Sequence, residues 1–244
     1  MANAGDYPPA DLLRGASLFL DFDGTLVEIA ERPDAVAVGD RLRRLMEALG
    51  AKLDGRLALV SGRPSAELRT LVVPAEIVIA GSHGMEFCHG NGTVESARRP
   101  DALAEVYAEF ARLAQACEGL LIEDKPLGVA LHYRRRPEAA ERCNAAAAEL
   151  ARRHGLHLQT GKMMVEVRAS GGDKGSAIRR LMELPAMRGT RPVFIGDDDT
   201  DEPGFMAAEA LGGAGILVGP ARETFARYRL AGPGAVLDWL EAAA

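Results

Sequence analysis

Five short runs of apolar residues recur along the chain, with helical segments between them. Each run is continuously apolar and does not alternate with polar residues, which is typical of strands buried on both faces of a parallel sheet. We predict strands at these runs, which read SLFLDF, RLALVSG, EIVIAG, RPVFIGD and AGILVG. The pattern therefore predicts a parallel sheet that is covered on both sides.

Four segments between and after these runs carry apolar residues at helical spacing. In residues 38–49, one stripe contains Val38, Leu42, Leu45, Met46 and Leu49. The other predicted helices span residues 65–71, 174–184 and 203–211. Because strands and helices alternate, we predict the α/β class, with a doubly wound parallel-sheet core.

The middle of the chain has a different pattern. Its predicted strands alternate apolar and polar positions, so one face is covered and the other is exposed or binds a ligand. These strands read LLIEDK, GVALHYRR, LHLQT and MMVEVR. Helices are predicted at residues 101–117 and 137–154, which indicates an α+β arrangement for this region.

Glycine-containing segments flank this middle region at residues 88–93 and 170–175. Few side chains there could restrain the backbone, so we predict a hinge at each segment. We therefore expect a core formed by residues 1–90 and 171–244. Residues 91–170 are expected to form a smaller α+β domain inserted into that core.

Composition places the chain among ordinary globular proteins, with 48% hydrophobic and 26% charged residues in 244. The formal net charge of −6 argues against a nucleic-acid partner, since phosphate binding favours a basic balance. No apolar run is long enough to span a bilayer, and the N-terminal segment is too polar for a signal peptide. Three scattered cysteines, Cys88, Cys117 and Cys143, are typical of free thiols in a reducing compartment. We expect a cytoplasmic monomer without nucleic-acid or membrane partners.

Polar side chains follow several predicted strands, at the place where open parallel sheets bind ligands. They are Asp21, Asp23, Gly24 and Thr25 after the first strand, Ser61, Gly62 and Arg63 after the second, and Asp197, Asp198, Asp199 and Asp201 after the fourth. Lys174 begins a predicted helix. Because the carboxyl ends of parallel strands meet at one edge, we expect these groups to converge there.

Each segment also has a simpler structural interpretation. A lone D-x-D-G-T is most often a turn with side-chain hydrogen bonds, and Ser61 can cap the helix that follows it. Thr200 can cap the next helix, whose first-turn acids then complement the helix dipole. Capping does not explain Asp197, because like charges crowded at a strand end are unfavourable unless a cation offsets them.

Together the segments suit phosphoryl transfer with Mg²⁺, which prefers oxygen ligands. Asp21 and Asp197 can hold the ion, and screening of the phosphate charge then allows a carboxylate to attack phosphorus. Asp23 lies on the same side of an extended chain as Asp21, so it can protonate the leaving oxygen and later activate water. Phosphate oxygens are expected to be bound by Gly24, Thr25, Ser61, Gly62 and Lys174.

The segments DFDGT, SGR, DKG and GDDDTDE, in this order, resemble the four motifs of the haloacid dehalogenase superfamily of phosphohydrolases. The inserted domain between the second and third motifs resembles that superfamily's C2-type cap. The resemblance implies that Asp21 is the nucleophile and Asp23 the acid and base. It also implies Mg²⁺ held by Asp21, the backbone carbonyl of Asp23 and Asp197, with Asp198 and Asp201 supporting these ligands.

The inserted domain is expected to select the leaving group, and its strands can be read at period two. The polar face carries Glu123 and Lys125 in the first strand, His132 and Arg134 in the second, and Lys162, Glu166 and Arg168 in the last. Both signs of charge occur there, which suits sugar hydroxyl groups better than an anion site of single sign. The alternative is a solvated sheet face.

The segments GSHGMEF, EDKPLGVALHYR and GKMMVEVR, with GDDDTDE, resemble the trehalose-6-phosphate phosphatase family from about residue 16 through the helix after Asp201. The resemblance implies that the distal glucose is held by Glu123, Lys125 and Glu166, with His132, Arg134 and Lys162 nearby. Arg63 and His83 are also expected to contact substrate. A hinge role is the alternative for His83, which lies in a G-x-H-G segment.

The expected function is Mg²⁺-dependent hydrolysis of trehalose 6-phosphate to trehalose and phosphate through an aspartyl-phosphate. One alternative keeps the catalytic core and changes the sugar phosphate. The substrate would then be sucrose phosphate or a glucosylglycerate-type phosphate, or the reaction would be a phosphomannomutase-like transfer. Another is a regulator that binds a sugar phosphate without turnover. No region of glycosyltransferase size precedes the predicted phosphatase, so we expect a stand-alone enzyme.

Overall fold

Strands and helices alternate along most of the chain in a computed structural model, which describes residues 2–3, 5–29, 36, 38–72 and 77–243. The strands are β1 Ala2–Asn3, β2 Ala16–Leu20, β3 Leu57–Val60, β4 Val78–Gly81, β5 Glu86–Cys88, β6 Val94–Ser96, β7 Leu121–Lys125, β8 Gly128–His132, β9 His157–Gly161, β10 Met164–Arg168, β11 Arg191–Gly196, β12 Ala214–Val218, β13 Glu223–Thr224 and β14 Tyr228–Leu230. The helices are α1 Asp40–Leu53, α2 Ser65–Leu71, α3 Leu103–Ala116, α4 Ala140–His154, α5 Lys174–Leu181, α6 Glu202–Ala210 and α7 Pro233–Ala243. The chain divides into a larger unit, Met1–Ser96 with Gly172–Ala244, and a smaller unit, Ala97–Gly171.

The larger unit contains an eight-stranded sheet in the order β14-β12-β11-β2-β3-β4-β5-β6. The strands from β14 through β4 run parallel, and β5 and β6 continue the sheet in antiparallel pairs. Every residue of β2, β3 and β12 is buried. Continuous apolar runs therefore form the centre of a mainly parallel sheet, as predicted.

Alternate residues of the central strands face two separate apolar clusters. Leu18 and Leu20 of β2 belong to the cluster that includes residues of α1 and α7. Phe19, between them, belongs to the cluster that includes residues of α5 and α6. Because side chains of a strand point alternately to opposite faces, helices cover both faces of this sheet. The prediction of a doubly wound α/β core is confirmed.

The smaller unit contains a four-stranded antiparallel sheet in the order β7-β8-β10-β9. Val129, Leu131 and Val165 share one apolar cluster with residues of α3 and α4. Ala130 and Glu166 lie opposite each other in the register and belong to the other face of the sheet. Helices therefore cover one face of the sheet, which confirms the predicted α+β arrangement of the inserted region.

The first boundary of the inserted region lies at residue 97, not at the predicted residue 91. Residues 89–93 are the turn of a hairpin between β5 and β6, where the His89 amide donates to the Thr93 carbonyl oxygen at 2.9 Å. The Asn91 side chain accepts the Thr93 amide at 2.9 Å. Hydrogen bonds therefore order this segment within the larger unit, and the hinge expected there stays a prediction.

Several element ends differ from the sequence-based prediction. Helix α1 extends to Leu53 rather than residue 49, and α5 ends at Leu181 rather than residue 184. The predicted strand EIVIAG begins at Glu76, which lies outside the described residues; its described part is β4. Helix α7 and strands β1, β5, β6, β13 and β14 were not predicted. A helix with the length and apolar composition that a membrane crossing requires is absent from the described part of the chain.

Candidate active site

Three parallel strands bring polar side chains to one edge of the larger sheet. Strand β2 lies between β3 and β11, and Asp21, Ser61 and Asp197 directly follow these three strands. The Asp21 amide donates to the Ile195 carbonyl oxygen at 2.9 Å, so its backbone position continues the pairing with β11. The structure thus brings together motif residues that are far apart in the sequence.

Lys174 lies between two of the carboxylates. Its Nζ is 2.7 Å from Asp21 Oδ1 and 2.6 Å from Asp201 Oδ1, and only 3% of the residue is exposed. Burial alone would lower the pKa of Lys174, but the charges of Asp201 and Asp21 outweigh burial and raise it. The ammonium group therefore stays charged in the interior.

Two local features place Lys174 at this position. Asp173 caps α5 by accepting the Ser176 amide at 2.6 Å, while the Asp173 amide donates to the Ser176 hydroxyl at 3.0 Å. Gly175 lies against the first turn of α6, where a Cβ atom would be 2.3 Å from the Pro203 carbonyl oxygen. Because no side chain intervenes, α5 can begin directly beside Asp201.

Three carboxylates meet at the sheet edge, where oxygens of Asp21, Asp197 and Asp201 lie within 4.8 Å of one another. Burial raises the pKa of Asp21 well above its usual range; Lys174 opposes this rise, and Asp201 and Asp197 add to it. The ammonium group of Lys174 contacts two of these three carboxylates, Asp21 and Asp201. Buried like charge of this kind is unfavourable, so the cluster favours binding of a cation.

The residues present fit a divalent cation that takes oxygen ligands, such as Mg²⁺. Gly24 has a positive φ of +81°, and a Cβ atom there would lie 2.2 Å from Asp197 Oδ2. Only glycine therefore allows the turn after Asp23 to pass this close to the Asp197 carboxylate. The backbone and the two candidate ligands Asp21 and Asp197 are thereby held in one place.

Asp201 has a different environment from the other two carboxylates. It is fully buried, and its Oδ2 accepts the amides of Asp197 and Asp198 at 2.9 Å each. Its other oxygen accepts from Lys174. Both oxygens of Asp201 accept hydrogen bonds from other groups of the protein. Asp201 is therefore better placed to hold the loop and Lys174 than to bind the cation.

Asp23 is held by Arg63. Arg63 Nε lies 2.5 Å from Asp23 Oδ2, and Nη2 lies 2.8 Å from Oδ1. The same guanidinium pairs with Glu67 and lies 5.7 Å from the centre of the Phe22 ring. The predicted contact of Arg63 with sugar stays a prediction; its contacts with Asp23 and Glu67 were not anticipated from the sequence.

Other predicted phosphate-binding residues surround Asp21 and Ser61. Thr25 is buried, and its hydroxyl lies 3.4 Å from Asp21 Oδ2. The buried Ser61 hydroxyl accepts the Arg63 amide at 3.3 Å. His83 lies against this loop, since a Cβ atom on Gly62 would be 2.5 Å from its Cε1. Contact of these residues with a phosphate stays a prediction.

His83 lies on a turn with an unusual backbone. Ser82 and His83 have φ values of +48° and +56°, a region that residues other than glycine rarely adopt. The buried Glu86 holds this turn, because its carboxylate accepts the Ser82 hydroxyl at 2.9 Å and the Ser65 amide at 3.0 Å. Sequence reasoning assigned no role to Glu86, since its two partners show no spacing that a motif would reveal.

In the smaller unit, four of the predicted sugar-binding residues contact one another through their side chains. Lys125 Nζ lies 2.8 Å from Glu166 Oε2 and 3.9 Å from Glu123 Oε2. His132 Nε2 lies 2.9 Å from the same oxygen of Glu123. Glu166 is only 2% exposed, which does not fit the alternative of a solvated sheet face.

The other two predicted sugar-binding residues, Arg134 and Lys162, lie outside the strands. Strand β8 ends at His132, so the period-two pattern does not extend to Arg134. Lys162 lies between β9 and β10, next to Met163, whose φ is +65°. Arg134 Nη2 donates to the Lys162 carbonyl oxygen at 3.1 Å, which joins the end of β8 to this turn.

Comparison with known proteins gives consistent matches over most of the chain. The family model described as trehalose-phosphatase matches residues 19–233. The chain is 38% identical over 225 residues to a trehalose-6-phosphate phosphatase of Escherichia coli, covering 91% of this chain and 84% of that protein. It is 40% identical over 206 residues to a probable trehalose-phosphate phosphatase of Sinorhizobium fredii, covering 84% and 78% of the two chains.

Solved structures agree with this result. The crystal structure of a trehalose-6-phosphate phosphatase related protein aligns with a TM-score of 0.77 at 28% identity, over 92% of this chain and 95% of that chain. A haloacid dehalogenase-like hydrolase from Bacteroides thetaiotaomicron, at 18% identity, shares the fold with a TM-score of 0.68 over 93% and 99% of the chains. With a family model spanning most of the sequence and relatives of this identity, the chain belongs to the trehalose-phosphatase family and is a phosphatase.

Proposed function

We propose that the protein hydrolyses trehalose 6-phosphate to trehalose and phosphate, and that Asp21 is the nucleophile. The buried Asp21 beside Lys174, within 4.8 Å of Asp197 and Asp201, is the observation that carries the reaction type. The substrate is inferred from the E. coli relative, which is named as a trehalose-6-phosphate phosphatase. The unit of residues 97–171 is proposed to be a cap that selects the sugar.

The proposed reaction has two steps at phosphorus. A carboxylate oxygen of Asp21 forms a bond to phosphorus while the bond from phosphorus to the sugar oxygen breaks, and Asp23 gives that oxygen its proton. Water then attacks phosphorus and passes a proton to Asp23, and the bond between Asp21 and phosphorus breaks. Phosphate is released, and Asp23 is again protonated for the next turnover.

Mg²⁺ would be held by Asp21, Asp197 and the backbone carbonyl of Asp23. When bound, the ion neutralises charge on the phosphate oxygens and thereby lets an anionic carboxylate approach phosphorus. Lys174 keeps Asp21 oriented through its 2.7 Å contact and adds a fixed positive charge near the reacting group. Asp201 in turn holds Lys174 in place.

The Arg63 contact sets a condition on the role of Asp23. Both oxygens of Asp23 accept hydrogen bonds from the guanidinium, so at least one must be released before the carboxyl can donate a proton. Glu67 pairs with the same guanidinium and can keep Arg63 in position when Asp23 turns away. Arg63 is therefore proposed to position Asp23, the acid and base.

The substrate assignment is tested with a panel of sugar phosphates and the purified protein. We expect release of phosphate from trehalose 6-phosphate with a kcat/KM at least about tenfold above that for sucrose phosphate or a glucosylglycerate-type phosphate. EDTA should abolish release, because it removes the ion that offsets the carboxylate cluster. Excess Mg²⁺ should restore it, which excludes irreversible damage.

Other outcomes of this panel separate the parts of the proposal. Faster turnover of another disaccharide phosphate would replace the substrate and leave the phosphatase chemistry intact. Tight binding of trehalose 6-phosphate without any phosphate release would instead support the regulator. Full activity in EDTA would contradict the metal assignment.

The role of the cap residues is tested with Glu123→Gln, which keeps the shape of the side chain and removes its charge. A hydrogen bond to a charged group contributes about 1.5–3 kcal/mol, so kcat/KM for trehalose 6-phosphate should fall roughly 10- to 100-fold. Turnover of p-nitrophenyl phosphate, which has no sugar, should change less than about twofold, because this variant leaves the larger unit unaltered.

Glu149→Gln is the matched control for this measurement, since Glu149 pairs with Arg152 on the exposed side of α4. It should leave both substrates unaffected. Equal loss on both substrates in Glu123→Gln would argue for a structural role of Glu123, and no loss on either would remove it from the sugar site.

A further inference from the structure

The loop that carries Asp197 and Asp201 is bound on its outer side by Arg222, a residue to which no motif drew attention. Arg222 Nη2 donates to the Asp198 carbonyl oxygen at 2.9 Å. Its Nη1 pairs with Glu202 and lies 3.3 Å from Asp199 Oδ1. One guanidinium therefore contacts Asp198 and Asp199 of this loop and Glu202 at the start of α6.

Glu202 is the second part of this arrangement, and it directly follows Asp201 at the start of α6. Besides the pair with Arg222, its carboxylate accepts the Thr224 hydroxyl at 2.8 Å and the Phe225 amide at 2.9 Å. Thr224 is 1% exposed, and its hydroxyl accepts the Ala226 amide at 3.1 Å. Hydrogen bonds therefore hold residues 222–226 in place beside Glu202.

The contacts act on the candidate metal ligand through the backbone. The amides of Asp197 and Asp198 both donate to Asp201 Oδ2, and the Asp198 carbonyl on the other side of the same residue accepts from Arg222. Rotation of this part of the loop would break a bond on each side. Hydrogen bonds to charged groups are stronger than neutral ones, so the position of the Asp197 backbone depends on both sides.

We propose that Arg222 and Glu202 form a clamp that positions Asp197 for the divalent cation. The inference rests on the proposed metal site. It adds Arg222 as a positioning residue, whose contacts are with the Asp198 carbonyl oxygen and the carboxylates of Asp199 and Glu202. Arginine is suited to this task because its planar fork can bind a carboxylate and a carbonyl oxygen at once. Metal ligands held by such partners bind more tightly than unsupported ones.

Arg222→Met removes the fork and keeps much of the apolar side-chain volume. Loss of a partner that orients a metal ligand typically weakens metal binding about 10- to 100-fold, so we expect the Mg²⁺ concentration for half-maximal phosphate release to rise by at least about tenfold. At saturating Mg²⁺, kcat should return to within about threefold of the unaltered protein, because Arg222 contacts no reacting group. Arg222→Lys should recover part of the affinity, since an ammonium can bind either Glu202 or the Asp198 carbonyl but lacks the fork.

A second measurement does not depend on turnover. Mn²⁺ is titrated into the protein without substrate, and free Mn²⁺ is followed by its electron paramagnetic resonance signal. Arg222→Met should raise the dissociation constant by the same factor as it shifts the Mg²⁺ titration. Arg227→Met is the matched control, because Arg227 lies five residues further on and pairs with Glu209 on the surface at 2.6 Å.

The possible results separate the clamp from the proposed function. Equal metal affinities of Arg222→Met, Arg227→Met and the unaltered protein would overturn the clamp and leave the phosphatase assignment standing. Absence of Mn²⁺ binding and of Mg²⁺ dependence in the unaltered protein would overturn the metal site and the clamp with it. If Arg222→Met does not fold, Glu202→Gln is titrated instead. It removes the ion pair, and its single amide oxygen can still accept the Phe225 amide. An unchanged affinity in this variant would also overturn the clamp.

Discussion

Asp21→Asn should abolish phosphate release from trehalose 6-phosphate and lower kcat by more than about 10⁴-fold, because an amide cannot form the bond to phosphorus. The fold should survive. Burial raises the pKa of Asp21, which means that the ionised carboxylate is unfavourable there. An uncharged side chain of the same shape removes this unfavourable buried charge. We therefore expect kcat to collapse while the urea midpoint of unfolding stays equal or rises.

Mass spectrometry of the acid-quenched protein provides the direct check on this prediction. The unaltered protein should carry one phosphoryl group on the peptide that contains Asp21 during turnover, and Asp21→Asn should carry none. Asp238→Asn is a suitable control, since Asp238 is exposed on α7 and pairs with Arg41 of α1. Retention of substantial activity by Asp21→Asn would remove it from the nucleophile role, whatever its stability.

Lys174→Met should destabilise the larger unit by about 3–5 kcal/mol, the usual result of removing one partner of a buried ion pair. Lys174 is the cation between Asp21 and Asp201, so its loss leaves their buried charges opposed only by hydrogen-bond donors. Urea unfolding in EDTA measures the change without interference from bound metal. Arg152→Met, which breaks an exposed pair on α4, should change the free energy of unfolding by less than about 0.5 kcal/mol.

The pH dependence of Lys174→Met gives a further check with a definite sign. Without Lys174, burial and the charges of Asp201 and Asp197 raise the pKa of Asp21 without opposition. A carboxyl whose pKa is higher in the folded protein than in the unfolded chain favours folding at low pH, and this contribution is lost as the pH rises through the folded pKa. The stability difference between variant and unaltered protein should therefore narrow on acidification from about pH 7.5 to about pH 5. A constant difference across this range would mean that lost packing, and not uncompensated charge, causes the destabilisation.

The convergence of Asp21, Ser61 and Asp197 could be predicted because it follows from sheet geometry. Continuous apolar runs indicate parallel strands, and the carboxyl ends of such strands share an edge, so residues just beyond them must lie close together. The helix that begins at Lys174 was also predicted from the sequence, and the structure adds the cap that Asp173 and Ser176 form at its start. These parts of the site depend on local signals and one rule of topology.

The side-chain contacts of the site could not be predicted in the same way. Arg63 lies 40 residues from Asp23 in the sequence, and Arg222 lies 20 residues from Glu202. Charged residues of either sign occur throughout the chain, and nothing in the pattern selects which two will meet. Such pairs depend on how loops leave the sheet, which only the folded structure determines.

The hairpin of β5 and β6 shows a different limit. All three residues of β6 are exposed, so the strand carries no apolar period by which it could be recognised. The turn before it contains two glycines and an asparagine, a composition that turns and flexible linkers share. Because β6 lies at the edge of the sheet, it lacks the continuous apolar run by which the central strands were predicted.

The pairing of β2 with β11 also constrains the order in which the protein can be completed. The two strands join residues 16–20 to residues 191–196 at the centre of the larger sheet, and the whole smaller unit lies between them in the sequence. During synthesis from the amino end, every residue of the smaller unit has been added before β11 exists. One edge of β2 therefore lacks its native neighbour until late in synthesis, and Asp21 acquires its carboxylate partner Asp197 only when the chain has been extended beyond β11.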